Sequence, residues 1–186
     1  ARSALKVKRA ASQELTVIKT QGHLVQGSRS DLVQNRIAGE RIILEAGRGG
    51  DIGGASGFVL VNVLDGGSLN ARAGGGLSIS APDSDLPLTG IFSPSFVSLS
   101  SGGSITDVIA NGESRVIGLT LQLNSAGSIG STFAPLLTET GPFGAMGINS
   151  GGNVFLSEAN DLFLVRAEIE RGGSIATDSR FTLSHF

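Results

Sequence analysis

The chain of 186 residues is long enough for one domain with a sizeable core, and its apolar fraction of 40% excludes a disordered polymer. Its 28 glycines follow no strict three-residue period and accompany only five prolines, which excludes collagen and favours many short strands joined by tight turns. The absence of cysteine excludes disulfides and thiolate metal sites, and no apolar run approaches the roughly 20 residues of a membrane-spanning helix.

The charged residues are unevenly distributed, although the net charge is only −2. Residues 1–48 carry nine Lys and Arg against four Asp and Glu, whereas residues 49–186 carry five against twelve. The basic part could attract polyanions such as nucleic acid, a sulfated glycan or lipopolysaccharide. Because no aromatic residue interleaves these bases, a solvated outer face is the favoured interpretation, and we expect no nucleic-acid partner.

The first part of the chain contains short segments of four to six residues that alternate or concentrate apolar side chains. A period of two over such a length, bounded by glycine or polar turn residues, is typical of β-strands. These segments are Leu5–Lys8, Leu15–Ile18, His23–Gln26, Arg36–Gly39 and Arg41–Ala46.

From residue 49 onward a short cassette recurs, in which two small residues precede a short polar residue and an apolar one. The copies are Gly49–Ile52, Gly66–Leu69, Gly102–Ile105, Ala126–Ile129, Gly151–Val154 and Gly172–Ile175. Their second small residues lie 17, 36, 24, 25 and 21 residues apart, and a degenerate copy at Gly75–Leu77 falls inside the longest interval. A loose period of 20 to 25 residues indicates a solenoid.

A parallel β-helix explains this period, because each turn buries its apolar face only by stacking on neighbours about 4.8 Å away. At roughly 22 residues per turn, we predict an all-β parallel β-helix of about eight turns, on the order of 40 Å long. An antiparallel sandwich also has short strands and glycine turns, but it lacks such regular corners. The residues expected to share a face within two long strands are Leu119, Leu121 and Leu123 in one and Val165, Ala167 and Ile169 in the other.

Residues 81–96 break this rhythm and contain three of the five prolines. Because proline interrupts strand pairing, we predict an irregular loop that leaves the rod. Loops on a rigid scaffold often carry a binding function, although tolerance of an insertion explains this one as well. The candidate ligand-contact residues in it are Asp83, Asp85, Phe92 and Phe96.

Motifs for chemistry are missing from the sequence, which has no G-x-S-x-G, H-E-x-x-H, P-loop or G-x-G-x-x-G pattern. Asp83 and Asp85 lack the further oxygen ligands and the glycine of a calcium loop. We therefore predict no catalytic, cofactor-binding or metal-binding residue, with a polysaccharide lyase or glycosidase on a β-helix as the alternative. The acids interpreted as solvated rod surface are Glu158, Asp161, Glu168 and Glu170.

The segments Ser128–Leu137, Ser150–Leu156 and Gly172–Ile175 carry a family resemblance. Together they are similar to the "GSIG…PLL…GGNVYL…GGSI" pattern of bacterial filamentous haemagglutinin-type exoprotein repeats. The resemblance is clearest over residues 100–180. It implies a right-handed parallel β-helix that serves as a shaft or adhesive rod in attachment or cell–cell contact, and it carries over no catalytic residues.

The resemblance also implies an extracellular or cell-surface location, often reached through an outer-membrane secretion partner. Residues 1–48 do not show the family's N-terminal secretion-domain pattern, so we expect residues 1–186 to be one β-helix domain internal to a longer protein. The expected partners are a cell-surface glycan or protein, or neighbouring β-helix segments stacked end to end. A self-assembling filament unit is a further alternative, because nothing obvious caps either end of the rod.

Overall fold

The computed structural model describes residues 3–27, 36–54, 57–108, 115–142, 144–169, 173–177 and 181–183. In these residues the chain is all-β, with parallel strands stacked as a β-solenoid of about seven turns and essentially no helix. The predicted parallel β-helix is therefore confirmed, with about one turn fewer than the period of the cassette suggests.

Eighteen strands lie in the described parts of the chain, and every pairing among them is parallel. One strand, β6, pairs with β7 through its first residues and with β5 and β8 through its later ones, so it bends from one face of the solenoid to another. The strands are β1 Ala4–Val7, β2 Ala10–Ala11, β3 Leu15–Thr20, β4 His23–Gln26, β5 Ile37–Arg48, β6 Val59–Gly74, β7 Leu77–Ala81, β8 Leu86–Phe92, β9 Phe96–Ser101, β10 Ile105–Asp107, β11 Val116–Gly118, β12 Thr120–Ser125, β13 Leu136–Thr140, β14 Met146–Ser150, β15 Val154–Glu158, β16 Leu162–Ile169, β17 Ile175–Thr177 and β18 Phe181–Leu183.

The core is built from rows of inward side chains, one from each turn. In the first row every side chain is at most 2% exposed. Each member is covered by the turns on either side of it. Burial of one such side chain stabilises the folded state by about 1.5–3 kcal/mol. The row consists of Leu24, Ile52, Leu77, Val97, Leu121, Met146 and Leu164.

A second inward row changes its chemistry along the rod. It begins with apolar side chains and ends with a buried threonine and a buried glutamate. The row is therefore apolar in the middle turns and polar near the C-terminal end of the described chain. Its members are Leu44, Ala71, Ile91, Val116, Thr138 and Glu158.

The copies of the glycine cassette do not all stack in one row. Ile52 of the first copy belongs to the row with Leu24 and Leu77, whereas Leu69 of the second copy pairs with Ile42 and Leu88. The later copies stack on one another in a single row, two residues before that of Leu69 in the register, which explains why only their spacing is regular. The stacked apolar residues of that row are Ile105, Ile129, Val154 and Ile175.

The prediction that residues 81–96 leave the rod is wrong. Most of the segment lies in the sheet, where β8 pairs with β6 on one side and with β10 and β11 on the other. Pro87 is accommodated because the pairing of β8 with β6 begins only at Leu88. No carbonyl oxygen of β6 therefore requires the N–H that proline lacks. Pro82 and Pro94 lie in the turns that flank the strand.

The predicted faces of two strands are partly wrong. Leu121 and Leu123 are buried as expected, but Leu119 precedes the start of β12 and is 50% exposed. In β16 the buried residue is Leu164, and Val165 is exposed. A register shift between β14 and β16 at Met146 moves the inward position by one residue, and a shift of one residue reverses the face of every side chain.

Candidate functional site

The four candidate contact residues do not form one site. Asp83 and Asp85 line one cleft of the solenoid, and Phe92 lines another. The ring of Phe96 lies against Gly76 on the preceding turn, where a Cβ atom would come within 2.1 Å of the ring. The four residues are close in sequence, but β8 extends from Leu86 to Phe92 and carries Phe92 away from Asp83 and Asp85.

The acidic cleft is an open depression of about 550 Å³ bordered by the turn Leu64–Gly67 and the corner Gly102–Gly103. Asp65, Asp83 and Asp85 line it, and no Lys, Arg or His does so within the described part of the chain. The carboxylates of Asp83 and Asp85 also contact other parts of the solenoid.

Asp83 forms an ion pair with Arg36, the side chain of which is largely buried. Asp85 accepts a 2.6 Å hydrogen bond from the backbone N–H of Ser104 on the next turn. A carboxylate that accepts a backbone N–H at a corner stabilises the stacking of the two turns. Both aspartates therefore hold the solenoid together in addition to facing the cleft.

The basic cleft is a second open depression of about 580 Å³ on another part of the rod. Lys19, Arg48 and Arg72 line it together with a single acid, Glu45, and with Phe92. Its charged side chains come from β3, β5 and β6 and are brought together by strand register.

The register that forms the basic cleft is continuous across four strands. Lys19 pairs with Glu45, Glu45 with Arg72, and Arg72 with Phe92. The Lys19 Nζ atom lies 2.9 Å from Glu45 Oε2, and the Arg72 guanidinium lies 4.3 Å from the centre of the Phe92 ring. The first contact is a surface ion pair, and the second is a cation–π interaction.

Glu158 corrects the interpretation of the acids as solvated surface. Its side chain points inward from β15 and is hydrogen-bonded to Thr138 and Thr140 of the preceding turn. Asp161 and Glu168 are exposed as expected, and Glu170 lies outside the described residues. A weak sign of this burial is present in the sequence, because Val154, Leu156 and Glu158 follow one another with a period of two.

Among the described residues, no group of three or more His, Asp and Glu side chains is placed to hold a metal ion. The same part of the chain contains no helix with the length and apolarity that crossing a membrane requires.

In comparisons with known proteins, no family model, curated protein or solved structure matches this chain.

Proposed function

We propose that the chain is a structural or adhesive β-helix segment of a large bacterial surface or secreted exoprotein, acting in attachment or cell–cell contact without catalysis. One observation carries the proposal. The cassettes in the region that resembles filamentous haemagglutinin-type repeats stack on one another at a single corner, with Ile105, Ile129, Val154 and Ile175 in one row. Repeats of that kind are expected to build a shaft.

The corner of these repeats explains why the cassette has a short polar residue after its small pair. Ser104 Oγ accepts the N–H of Ser128, and Ser128 Oγ accepts the N–H of Asn153, at 3.1 Å each. Asn153 Oδ1 accepts the N–H of Ser174 at 3.0 Å. Each turn thus provides an acceptor for the next one, which is the property that a rod of many turns needs.

The distribution of charge favours this function over a polysaccharide lyase or glycosidase. Such an enzyme needs paired acids together with a base or a calcium ion in one groove. Among the described residues, no base lines the cleft of the three aspartates, since the Arg36 partner of Asp83 is largely buried, and the only acid in the basic cleft is paired with Lys19. Release of reducing or unsaturated ends from a panel of acidic polysaccharides would contradict the non-catalytic function.

A specific observation favours end-to-end contact with a neighbouring β-helix segment. Leu5 is in register with the buried Leu24, yet 41% of Leu5 is exposed. The strand β1 therefore presents an apolar position on which a further turn can stack. Light scattering over a range of concentrations tests assembly of this chain, and a particle that remains monomeric at high concentration would contradict the filament alternative.

The adhesive function is tested by binding of the fluorescently labelled chain to bacterial and host cells. Deleting residues 82–96 is not a usable control, because it would remove the central strand β8. A heat-unfolded sample and an unrelated solenoid of similar charge are the appropriate controls. Saturable binding by the folded chain alone supports an adhesive segment, whereas absence of binding contradicts adhesion and leaves the function of a spacer.

A further inference from the structure

We propose that the basic cleft binds an anionic polysaccharide, with sulfate or carboxylate groups held by Arg48 and Arg72 and a sugar ring packed beside Phe92 and Pro94. This inference rests on the adhesive form of the proposed function and adds to it a site and a class of ligand.

The charges in the cleft are not balanced by the protein itself. Three bases face one acid, and the acid is already paired with Lys19 at 2.9 Å. Within the described chain, neither Arg48 nor Arg72 has an ion-pair partner, although Glu45 is the neighbour of Arg72 in register. A concave surface with unpaired bases concentrates positive potential and attracts anions.

The arginine side chains suit an acid group on a sugar. Arg72 is held over the Phe92 ring at 4.3 Å, so its guanidinium is positioned before a ligand arrives. A guanidinium offers paired N–H donors that match the oxygens of a carboxylate or a sulfate. Pro94 is exposed and Phe92 is half-buried beneath Arg72, so Pro94 and the uncovered part of Phe92 form the apolar side of the cleft on which the apolar face of a pyranose ring can pack.

The length of the cleft favours a chain over a single ion. The row from Lys19 to Phe92 crosses four neighbouring strands. At about 4.8 Å per strand the row extends over about 14 Å, which is longer than one sulfate or carboxylate group. Several sugar units of one polysaccharide can therefore lie along it.

Nucleic acid fits the same cleft less well. Binding of single strands uses exposed aromatic rings on which bases stack, together with several contacts to phosphates. Phe92 is the single aromatic residue that lines the cleft in the described residues, and Arg72 already covers its face. Two unpaired arginines are also few for a site that follows a phosphate backbone.

Three polymers with the same backbone test the proposal: dextran, carboxymethyl dextran and dextran sulfate. Equilibrium binding of the whole chain is measured by biolayer interferometry at low and physiological salt. We expect binding to one or both charged dextrans and none to dextran, and the polymer that binds identifies the acid group. The double variant Arg48→Gln/Arg72→Gln should lower the affinity at least about tenfold, because it removes charge-assisted hydrogen bonds.

The matched control is Arg41→Gln/Arg166→Gln, which removes the same charge from exposed positions outside the cleft. Its affinity should stay within about threefold of the unmodified chain, since screened charges at a distance contribute little. Circular dichroism and the urea midpoint confirm that both variants are folded. Equal losses in the two variants, no preference for the charged dextrans, or tighter cleft-dependent binding to DNA oligonucleotides would each overturn the proposal.

The cell-binding assay separates this inference from the function on which it rests. If the cleft variant loses binding to the charged dextrans and to cells alike, both proposals are supported. If cells bind the cleft variant as well as the unmodified chain, the cleft is not the adhesive site, although adhesion stands. If the unmodified chain binds neither cells nor dextrans, adhesion and the cleft proposal both fail.

Discussion

The carboxylate of Glu158 faces Thr138 of the preceding turn in the strand register and accepts a 2.6 Å hydrogen bond from its hydroxyl group. The same carboxylate accepts the backbone N–H of Thr140 at 2.7 Å and the Thr140 hydroxyl at 3.2 Å. Glu158 is only 7% exposed. An acid is tolerated inside the solenoid because the turn before it supplies donors for both carboxylate oxygens.

Replacing Glu158 with alanine should reduce the free energy of unfolding by about 1–3 kcal/mol, because the buried N–H of Thr140 loses its acceptor. Urea unfolding followed by circular dichroism measures the change. Glu168→Ala is the control, since Glu168 lies on the surface beside Arg166 and its loss should cost less than about 0.5 kcal/mol. Equal effects of the two substitutions would show that the inward position of Glu158 contributes nothing to stability.

The class of fold was predictable from the sequence because two independent patterns agree. Alternation of apolar residues predicts strands, and the later copies of the glycine cassette repeat with the period of one turn. The register was less predictable, because a shift of one residue exchanges the two faces of a strand. Leu119 precedes β12, and a local register shift in β16 buries Leu164 instead of Val165. Neither irregularity can be recognised in the pattern of apolar residues.

Leu119 and Leu123 provide a matched test of that register. Leu123→Ala should reduce the free energy of unfolding by about 2–5 kcal/mol, because Leu123 is fully buried and its truncation leaves a cavity. Leu119→Ala removes the same atoms from a residue that is 50% exposed, so it should cost less than about 1 kcal/mol. The two values are compared by urea unfolding, and a larger loss for Leu119 would invalidate the register of β12.

The neighbouring glycines Gly66 and Gly67 should respond differently to substitution. A Cβ atom on Gly67 would lie 2.1 Å from the carbonyl oxygen of Glu40 on the preceding turn, whereas one on Gly66 would meet nothing within 4 Å. Gly67→Ala should therefore destabilise by about 1–3 kcal/mol or prevent folding, since two turns must move apart.

Gly66 has a φ angle of +73°, a conformation that asparagine adopts more readily than other residues with side chains. Gly66→Asn should accordingly change the free energy of unfolding by less than about 1 kcal/mol. The stabilities of Gly67→Ala and Gly66→Asn are compared by thermal unfolding. A Gly67→Ala protein as stable as Gly66→Asn would contradict the close approach of the two turns.

The basic cleft illustrates why the sequence could not reveal a site. Lys19 and Phe92 lie on β3 and β8, and only the register of the strands between them places both in one row. From the sequence, Lys19 and Arg48 are two of nine bases in a basic region, and Phe92 belongs to a predicted loop. Asp83 and Asp85 line one cleft, which follows from their closeness in sequence within the turn that precedes β8.

Two adjacent serines at the end of β9 test the role of the corner. Ser101 is buried, and its hydroxyl donates to the carbonyl oxygen of Ser84 at 2.9 Å and accepts the N–H of Gly103 at 3.1 Å. Ser125 and Ser150 occupy the same position in the next two turns. Ser101→Ala should lower the free energy of unfolding by about 1 kcal/mol, because it removes both bonds of the buried hydroxyl while the N–H of Gly103 keeps its 3.2 Å bond to the Ser84 carbonyl oxygen.

Ser100→Ala is the control for this prediction, since Ser100 alternates to the outer face of the same strand and should change stability by less than about 0.5 kcal/mol. Urea unfolding measures both variants. If both residues proved neutral, the corner would be stabilised by stacking of the turns alone. A loss of stability confined to Ser101→Ala would show that the inward serine hydroxyl groups stabilise the corner. The two substitutions delete the same atom from neighbouring residues that differ only in the face they occupy.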